Sequence, residues 1–381
     1  MAKIKALSLF ANVGIAETYL DAANVQVCVA NEIEPQRVKF YRHLYPDVNM
    51  IEGDITDKDI QKKIIDASKK EHIDLIMATP PCQGMSTAGK HDKLDSRNYL
   101  ICPAIDIIKK LLPKYVFLEN VPEQLITPIN INGKVLKIPD YIKEELGEHY
   151  NFNKHFLINA CDYGVPQQRE RAIILLTRKD LKKTWDFPKK HSKQITLLDA
   201  IGDLPDLDPE ITDLSKAEAN KIFPHYEEKR QRALSISRWF CPPKHVYRQV
   251  FSMMHTPSGQ TAFDNIDKFK PKKLDGSFTK GFKNTYKRQC WDKPAFTITM
   301  YNRTIGSQNN VHPGRYIGKD KDGYDLYSDP RVLTVYELMI VTSLPTDWDI
   351  PSWASDHFVR QVIGEGIPPK LVENIMKNIP E

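Results

Sequence analysis

The chain has 381 residues, 41% of them hydrophobic, and 54 basic against 49 acidic side chains for a net charge of +5. That is enough apolar material for a substantial core and points to two domains, while the lack of any long apolar run excludes a membrane span, and residues 6–10 are too short an apolar segment for a signal peptide. The six cysteines, at 28, 82, 102, 161, 241 and 290, form neither a Cys-x-x-Cys pair nor a Cys/His cluster at zinc spacing, so free thiols in a reducing cytoplasm and no metal are expected.

Short apolar strands at 6–10, 25–30, 50–51, 73–78, 115–118 and 172–176 alternate with helical patterns. This predicts an α/β fold, a doubly wound and mostly parallel sheet. Helical spacing is clear at 103–112, where Ile105, Ile108 and Leu112 share a face. From about residue 189 the pattern breaks into proline-containing loops and basic stretches such as 268–273, which reads as a second, smaller, irregular domain. Helical periodicity returns at 334–342 and 371–375. Charge is unevenly held: residues 221–290 carry 15 Lys/Arg against 5 Asp/Glu, interleaved with Trp239, Tyr247, Phe251, Tyr286 and Trp291. A basic module beside an acidic body suggests a polyanionic partner, with a solvated surface loop region as the alternative that charge runs usually are.

Three turns carry candidate chemistry. Ala-Thr-Pro-Pro-Cys-Gln-Gly-Met-Ser at 78–86 puts Cys82 on a proline-stiffened turn after a buried strand, where a thiol is either a nucleophile or a packed core residue. Phe-Leu-Glu-Asn-Val-Pro at 117–122 places Glu119 at another strand end, and two such turns of one parallel sheet face the same crevice. Tyr-Gly-Val-Pro-Gln-Gln-Arg-Glu-Arg at 163–171 opens a further strand with Arg169 and Arg171 spaced to one side; taken alone, a surface ion pair with Glu170 is the better explanation of them.

Pro-Cys-Gln at 81–83, Glu-Asn-Val at 119–121 and Gln-Gln-Arg-Glu-Arg at 167–171, in this order, resemble signature blocks of the C5-cytosine DNA methyltransferases, and the resemblance runs from Leu7 to about residue 379. It implies a Rossmann-like methyltransferase sheet that binds S-adenosyl-L-methionine, with a target-recognition domain inserted into it. Arg-Val-Leu-Thr-Val-Tyr-Glu at 331–337 is similar to the block that holds the recognition domain, and Gln-Val-Ile-Gly-Glu-Gly at 361–366 to the final cofactor-side block. The implied catalytic domain is therefore 1–188 plus 331–381, and the DNA-binding domain 189–330.

By the same resemblance, the thiolate of Cys82 attacks cytosine C6, Glu119 holds or donates a proton at N3, and Arg171, with Arg169 beside it, supplies a fixed cation at O2 or orients the carboxylate. The cofactor turn is Phe10, Ala11, Asn12, Val13, Gly14 and Ile15. Asn12 and Ile15 stand where glycines are common; asparagine tolerates the left-handed conformation, whereas Ile15 is expected to narrow the approach to the methionine end. Glu32, with Glu34 as competitor, would accept from the ribose hydroxyls, Ile33 would face the adenine, and Asp54 beside Ile55 would take the adenine amino group. Asp54 or Thr56 could equally be a helix N-cap. Pro81, Leu100, Glu365 and Gly366 complete the cofactor set; Glu365, where asparagine is usual, could attract the cofactor's charge or be a helix-start acid.

Residues 84–98 resemble a lid closing over duplex DNA with the target base flipped out, with Gln83, Ser86, Lys90 and Arg97 as DNA contacts, although a disordered surface loop would read the same way. Thr299 and Met300 fall near a segment that meets the target bases, although a plain β-strand would read the same way. The expected protein is a monomeric enzyme of the bacterial cytoplasm or nucleoid acting on double-stranded DNA, as in restriction-modification systems, with no membrane partner. The alternatives are a tRNA cytosine methyltransferase on the same scaffold and a catalytically silent DNA-binding relative; a nicotinamide dehydrogenase would lack its glycine-rich phosphate turn.

Overall fold

The computed structural model describes residues 3–81 and 96–380. The chain divides into two compact units, the first comprising Met1–Tyr163, Glu170–His191 and Ile367–Glu381, the second Gly164–Arg169 and Ser192–Gly366.

The first unit is built on an eight-stranded, mainly parallel sheet. In chain order its elements are β1 (Ile4–Leu9), β2 (Val25–Glu32), α1 (Pro35–Leu44), β3 (Asn49–Glu52), α2 (Lys58–Glu71), β4 (Leu75–Ala78), α3 (Ile101–Leu111), β5 (Tyr115–Asn120), the hairpin β6 (Pro128–Ile131) and β7 (Lys134–Lys137), α4 (Ile138–Leu146), β8 (Tyr150–Phe152), β9 (Leu157–Asn159) and β10 (Glu170–Arg178). The strand order is β3-β2-β1-β4-β5-β10-β8, with β9 also on β10. The strands from β3 to β5 pair in parallel, and β10 runs antiparallel to β5, β8 and β9. β4 and β5 are buried at every position, as strands covered on both faces must be. Leu7, Ile76, Val116 and Ile174 pack there with Ile64 of α2 and Ile105 and Ile108 of α3, so the helical face read at 103–112 is indeed apolar core.

Several boundaries differ from the sequence expectation for local reasons. β1 stops at Leu9 because Phe10 turns to φ 58°, and α3 stops at Leu111 because Leu112 adopts φ 44°. The β6–β7 hairpin was not expected, although its Asn132-Gly133 turn, with φ of 50° and 86°, is the pair that a tight hairpin favours. The C-terminal helix Pro369–Met376 is tied to the first unit by Trp185 Nε1 donating to the Ile375 carbonyl (3.1 Å) and Asn374 donating to the Tyr163 carbonyl (2.7 Å).

The second unit contains α5 (Leu197–Ile201), α6 (Lys216–Ile222), α7 (Tyr226–Ile236), α8 (Tyr247–Met254), α9 (Val335–Val341) and α10 (Asp356–Glu365), with the short pairs β11 (Glu210–Ile211)/β12 (Lys244–His245) and β13 (Tyr316–Lys319)/β14 (Asp325–Tyr327). The reading of 189–330 as lacking any period missed the four helices α5 to α8. The capping boxes Thr196/Asp199 and Ser215/Glu218 that start two of them were present in the sequence. No helix among the described residues is long and apolar enough to cross a membrane.

The centre of the second unit is polar. Arg331 is fully buried and donates to both oxygens of Glu337 (2.8 and 3.0 Å), to Asp329 Oδ1 (2.8 Å) and to the Leu207 carbonyl (2.9 Å). Glu337 also accepts from the backbone and hydroxyl of Thr334, which caps α9. Burial opposes ionisation of Asp329, yet His312 and then the Arg331 guanidinium beside it hold its carboxyl well below the usual range. Removing the cation would strand two buried carboxylates. Arg331→Met is therefore expected to destabilise the protein by about 3–5 kcal/mol in urea unfolding, against well under 1 kcal/mol for replacing the exposed Lys244 with methionine.

Candidate active site

Parallel strands deliver their carboxyl ends to one edge of the first unit, and the turns leaving that edge carry the candidate residues. After β1 the chain makes three left-handed steps before the helical turn Ile15–Glu17, at Phe10 (φ 58°), Asn12 (φ 52°) and Gly14 (φ 83°). Asn12 thus adopts the conformation expected of it. Gly14 cannot be replaced: a Cβ there would lie 2.3 Å from the Tyr45 ring, whose hydroxyl donates to the Gly14 carbonyl (2.7 Å). Ile15 is buried at 3% exposure, so its side chain packs inward rather than standing out over the turn.

Glu32 ends β2 and is buried. Its Oε2 accepts the Asn12 N–H (2.8 Å), and its Oε1 accepts the N–H groups of Ile33 and Glu34 (3.0 Å each). Three backbone donors fix this carboxylate against the turn, and Oε2, which accepts only one of them, keeps acceptor capacity. Glu34 is exposed, which separates it from its competitor. Ile33 beside it is 52% exposed, an apolar surface with no core role. Asp54 is exposed; its Oδ1 closes a turn by accepting the Thr56 N–H (2.8 Å). Neither Asp54 nor Thr56 is the cap of α2: that is Asp57. Ile55 is buried in the core, Leu100 is the half-buried N-cap of α3 and packs against that core, and Pro81 is half-buried.

The second cluster forms where β10 lies antiparallel to β5. Ile173 stands opposite Glu119, so Arg171, two residues earlier on the same face, is its diagonal neighbour. Arg171 Nε meets Glu119 Oε1 at 2.9 Å, and both side chains are about nine-tenths buried, at 11% exposure. Arg171 pairs with Glu119 and not with the Glu170 carboxylate, although its Nη1 donates to the Glu170 carbonyl (2.7 Å). Next to it, Asn120 donates to the Pro80 carbonyl (3.0 Å) and accepts the Val121 N–H (2.8 Å), while Thr79 donates to the Phe10 carbonyl (3.2 Å). The ends of β1, β4 and β5 are thereby tied together; the sequence reading did not give Asn120 this role.

Arg169, grouped with Arg171 in the sequence, is employed differently. It lies in the second unit, 2% exposed, and donates to the carbonyls of Ile298 (2.7 Å), Gly364 (2.9 Å) and Glu365 (3.3 Å). It holds backbone. Thr299 and Met300 are half-buried beside this anchor, in a segment that forms no strand, and Gly364 is obligatory because a Cβ there would sit 2.2 Å from the Thr299 carbonyl oxygen. Glu365 is the last residue of α10, not the first of a helix, and accepts from Gln361 (3.3 Å). A carboxylate at a helix C-terminus is opposed by the helix dipole, so capping does not explain it. Gly366 is the C-cap, at φ −61°. Arg97 is exposed in the turn Ser96–Tyr99, and Asn98 beside it is 1% exposed with no hydrogen-bond partner for its carboxamide among the described residues. Cys82, Gln83, Ser86 and Lys90 lie outside the described residues, as does most of the expected lid at 84–98.

The profile of the C-5 cytosine-specific DNA methylases matches residues 4–381. The chain is 40% identical to type II methyltransferase M1.HgaI of Avibacterium volantium, over 99% of this chain and 98% of that protein. It is 27% identical to M.NgoPII of Neisseria gonorrhoeae, over 98% and 94% respectively. Its fold is similar to the crystal structure of a putative DNA modification methyltransferase encoded within an Escherichia coli prophage (TM-score 0.66, 21% identity, covering 99% of this chain and 98% of that one). It is also similar to that of Spodoptera frugiperda DNMT2 (TM-score 0.55, 17% identity, 98% of each chain).

One buried acid under the β1 turn was not anticipated. Glu17 is 5% exposed and accepts the Tyr41 hydroxyl, and burial, only partly offset by hydrogen bonds from Tyr41 and Ser8, pushes its carboxyl up to about 7. The folded protein therefore holds this proton more tightly than the unfolded chain, so stability is fully present below pH 4.5 and is lost as pH rises to about 7. Glu17→Gln keeps the acceptor for Tyr41 and removes the titration. In urea unfolding it is expected to match the wild type near pH 4.5, to exceed it by roughly 3 kcal/mol at pH 8, and to flatten the slope between; parallel pH profiles would contradict this.

Proposed function

The chain belongs to the C-5 cytosine-specific DNA methylases, enzymes that methylate C5 of cytosine in DNA, and on that premise we propose that it draws the methyl group from S-adenosyl-L-methionine and acts on one specific duplex sequence through a covalent adduct at C6. The observation that carries this reading is the buried Glu119–Arg171 pair, tied through Asn120 to the proline turn that leads into Cys82.

The donor set of the carboxyl edge suits the cofactor. Glu32, pre-held by three N–H groups, would accept from the ribose hydroxyls, the exposed Ile33 would cover one face of the adenine, and the free oxygen of Asp54 would take the adenine amino group. Asn12 and Gly14 would let backbone approach the methionine end. The cofactor, when bound, supplies an electrophilic methyl on a sulfonium.

Cytosine C5 is a poor nucleophile, and the protein's task is to change that. The Cys82 thiolate forms a bond to C6, the ring electrons move toward C5 and N3, and C5 becomes an enamine carbon able to take the methyl. Glu119 holds the proton at N3 as charge shifts onto the ring; Arg171 orients Glu119 and offsets negative charge at O2. Loss of the C5 proton then expels the thiolate and restores the aromatic ring. The target atom is hidden in a duplex, so the base is rotated out before attack. Residues 189–330 choose the site, with Lys270, Lys272 and Lys273 among the phosphate contacts, while 1–188 and 331–381 carry the chemistry. A role in protecting DNA within a restriction-modification system follows from the 40% identical relative. That relative also favours DNA over tRNA as substrate.

A duplex carrying 5-fluorocytosine at the target cannot lose its C5 substituent and is expected to trap the wild-type enzyme as a denaturation-resistant complex. Cys82→Ser should abolish the complex, and a complex that survives in this variant would exclude Cys82 as the nucleophile.

A further inference from the structure

The second unit carries a small antiparallel ribbon whose tip has no function in the fold. Lys272 and Phe278 bridge across it, the Lys273 N–H donates to the Ser277 carbonyl (2.8 Å), and the Thr279 N–H donates to the Pro271 carbonyl (2.8 Å). The connection Lys273-Leu274-Asp275-Gly276 closes with the Gly276 N–H on the Lys273 carbonyl (3.1 Å) and Gly276 at φ 80°, the turn-plus-bulge that short hairpins use. Asp275 secures it by accepting both the N–H (2.9 Å) and the hydroxyl (2.6 Å) of Ser277. The turn is rigidly specified by its polar residues.

Leucine has no part in that specification. Leu274 is 89% exposed at a turn position where polar residues are the rule, and Phe278 and Phe282 nearby are 50% and 79% exposed. Around them is a cationic field: residues 268–283 hold six lysines against one aspartate. Lys268 and Lys270 have partners in Asp322 and Asp267, but Lys272, Lys273, Lys280 and Lys283 pair with no carboxylate among the described residues. Lys270 and Lys272 lie over the Phe278 ring, 5.9 and 5.8 Å from its centre. Behind the ribbon, Arg248 and Gln249 of α8 join Lys272, Lys273 and Tyr286 in lining a cleft, and Arg248 Nε is buried with no hydrogen-bond partner among the described residues.

An apolar side chain raised on a rigid two-stranded support and ringed by unpaired lysines fits one surface above others: a duplex groove, where phosphates flank base edges that include the thymine methyl. We propose that the ribbon 271–279 enters the major groove of the substrate, with Lys272 and Lys273 on phosphates and Leu274 in apolar contact with a base edge, so that Leu274 helps set the recognised sequence. This rests on the function proposed above. A protein partner would call for fewer unpaired lysines around the apolar tip. An anionic membrane surface shares the charge and is separated by experiment.

The test uses full-length protein and a duplex pool randomised around a central cytosine, read by bisulfite sequencing. The wild type is expected to yield one consensus. Leu274→Ala, an exposed change that should leave thermal unfolding unaltered, is expected to retain methylation of that consensus while discrimination at one base position falls about tenfold. The double variant Lys272→Ala/Lys273→Ala should weaken binding to all sequences alike and make the log–log salt slope shallower by about 1.8. Val135→Ala, 66% exposed on β7 of the other unit, should change neither. An unaltered consensus with full discrimination in Leu274→Ala overturns the proposal. So does Leu274-dependent sedimentation with anionic phospholipid vesicles alongside an unaltered consensus. If the wild type methylates nothing in the pool, the proposed function itself fails, and the assignment of the ribbon falls with it.

Discussion

The antiparallel placement of β10 beside β5 is the constraint on which the candidate site depends. In a wholly parallel sheet the start of each strand lies at the opposite edge from the carboxyl-end turns, and an arginine at the start of β10 would sit far from a glutamate at the end of β5. Reversing one strand brings Arg171 to the edge where Glu119 already stands, and the register Ile173 opposite Glu119 sets the two on one face within reach of a 2.9 Å contact. Asn120 and Thr79 then join the neighbouring strand ends, so that the turn into Cys82 starts from a fixed base.

Both units place charge inside and pair it there. In the first, Glu32 is satisfied by backbone N–H groups of the turn it supports, and Glu17, under the same turn, sheds its charge through a raised pKa instead. In the second, Arg331 is met by two carboxylates, whereas Arg288 faces the carbonyls of Met253, His312, Ser328 and Asp329, and burial pulls its pKa down to about 9. Such clusters specify geometry more than they add stability: replacing a whole cluster by apolar residues of similar volume would remove the desolvation cost, whereas removing one partner strands the others. Segments without helices or long strands can be held in register this way.

The sheet and its edge were legible in the sequence because short apolar runs followed by proline or asparagine turns leave few alternatives for where a strand ends. The Phe10 and Leu112 boundaries were missed by one residue, since a left-handed step by a bulky residue has no sequence signal. Arg169 and Arg171 look equivalent on the page, yet one anchors carbonyls and the other pairs with Glu119; the difference is tertiary. Glu17 carried no signal in the sequence, because its burial comes from Tyr41, 24 residues away, closing over it. α7 was invisible to periodicity because it opens on the polar run Tyr-Glu-Glu-Lys-Arg-Gln-Arg and buries only Ala233.

If Glu119 and Arg171 work as one unit, their contributions to methyl transfer are coupled. A double-mutant cycle on kcat, with Glu119→Gln, Arg171→Met and the combination, measures that coupling. The account expects the double variant to be little slower than the worse single variant, a coupling on the order of 1–3 kcal/mol. Losses that simply add would show that the two side chains act independently and contradict it.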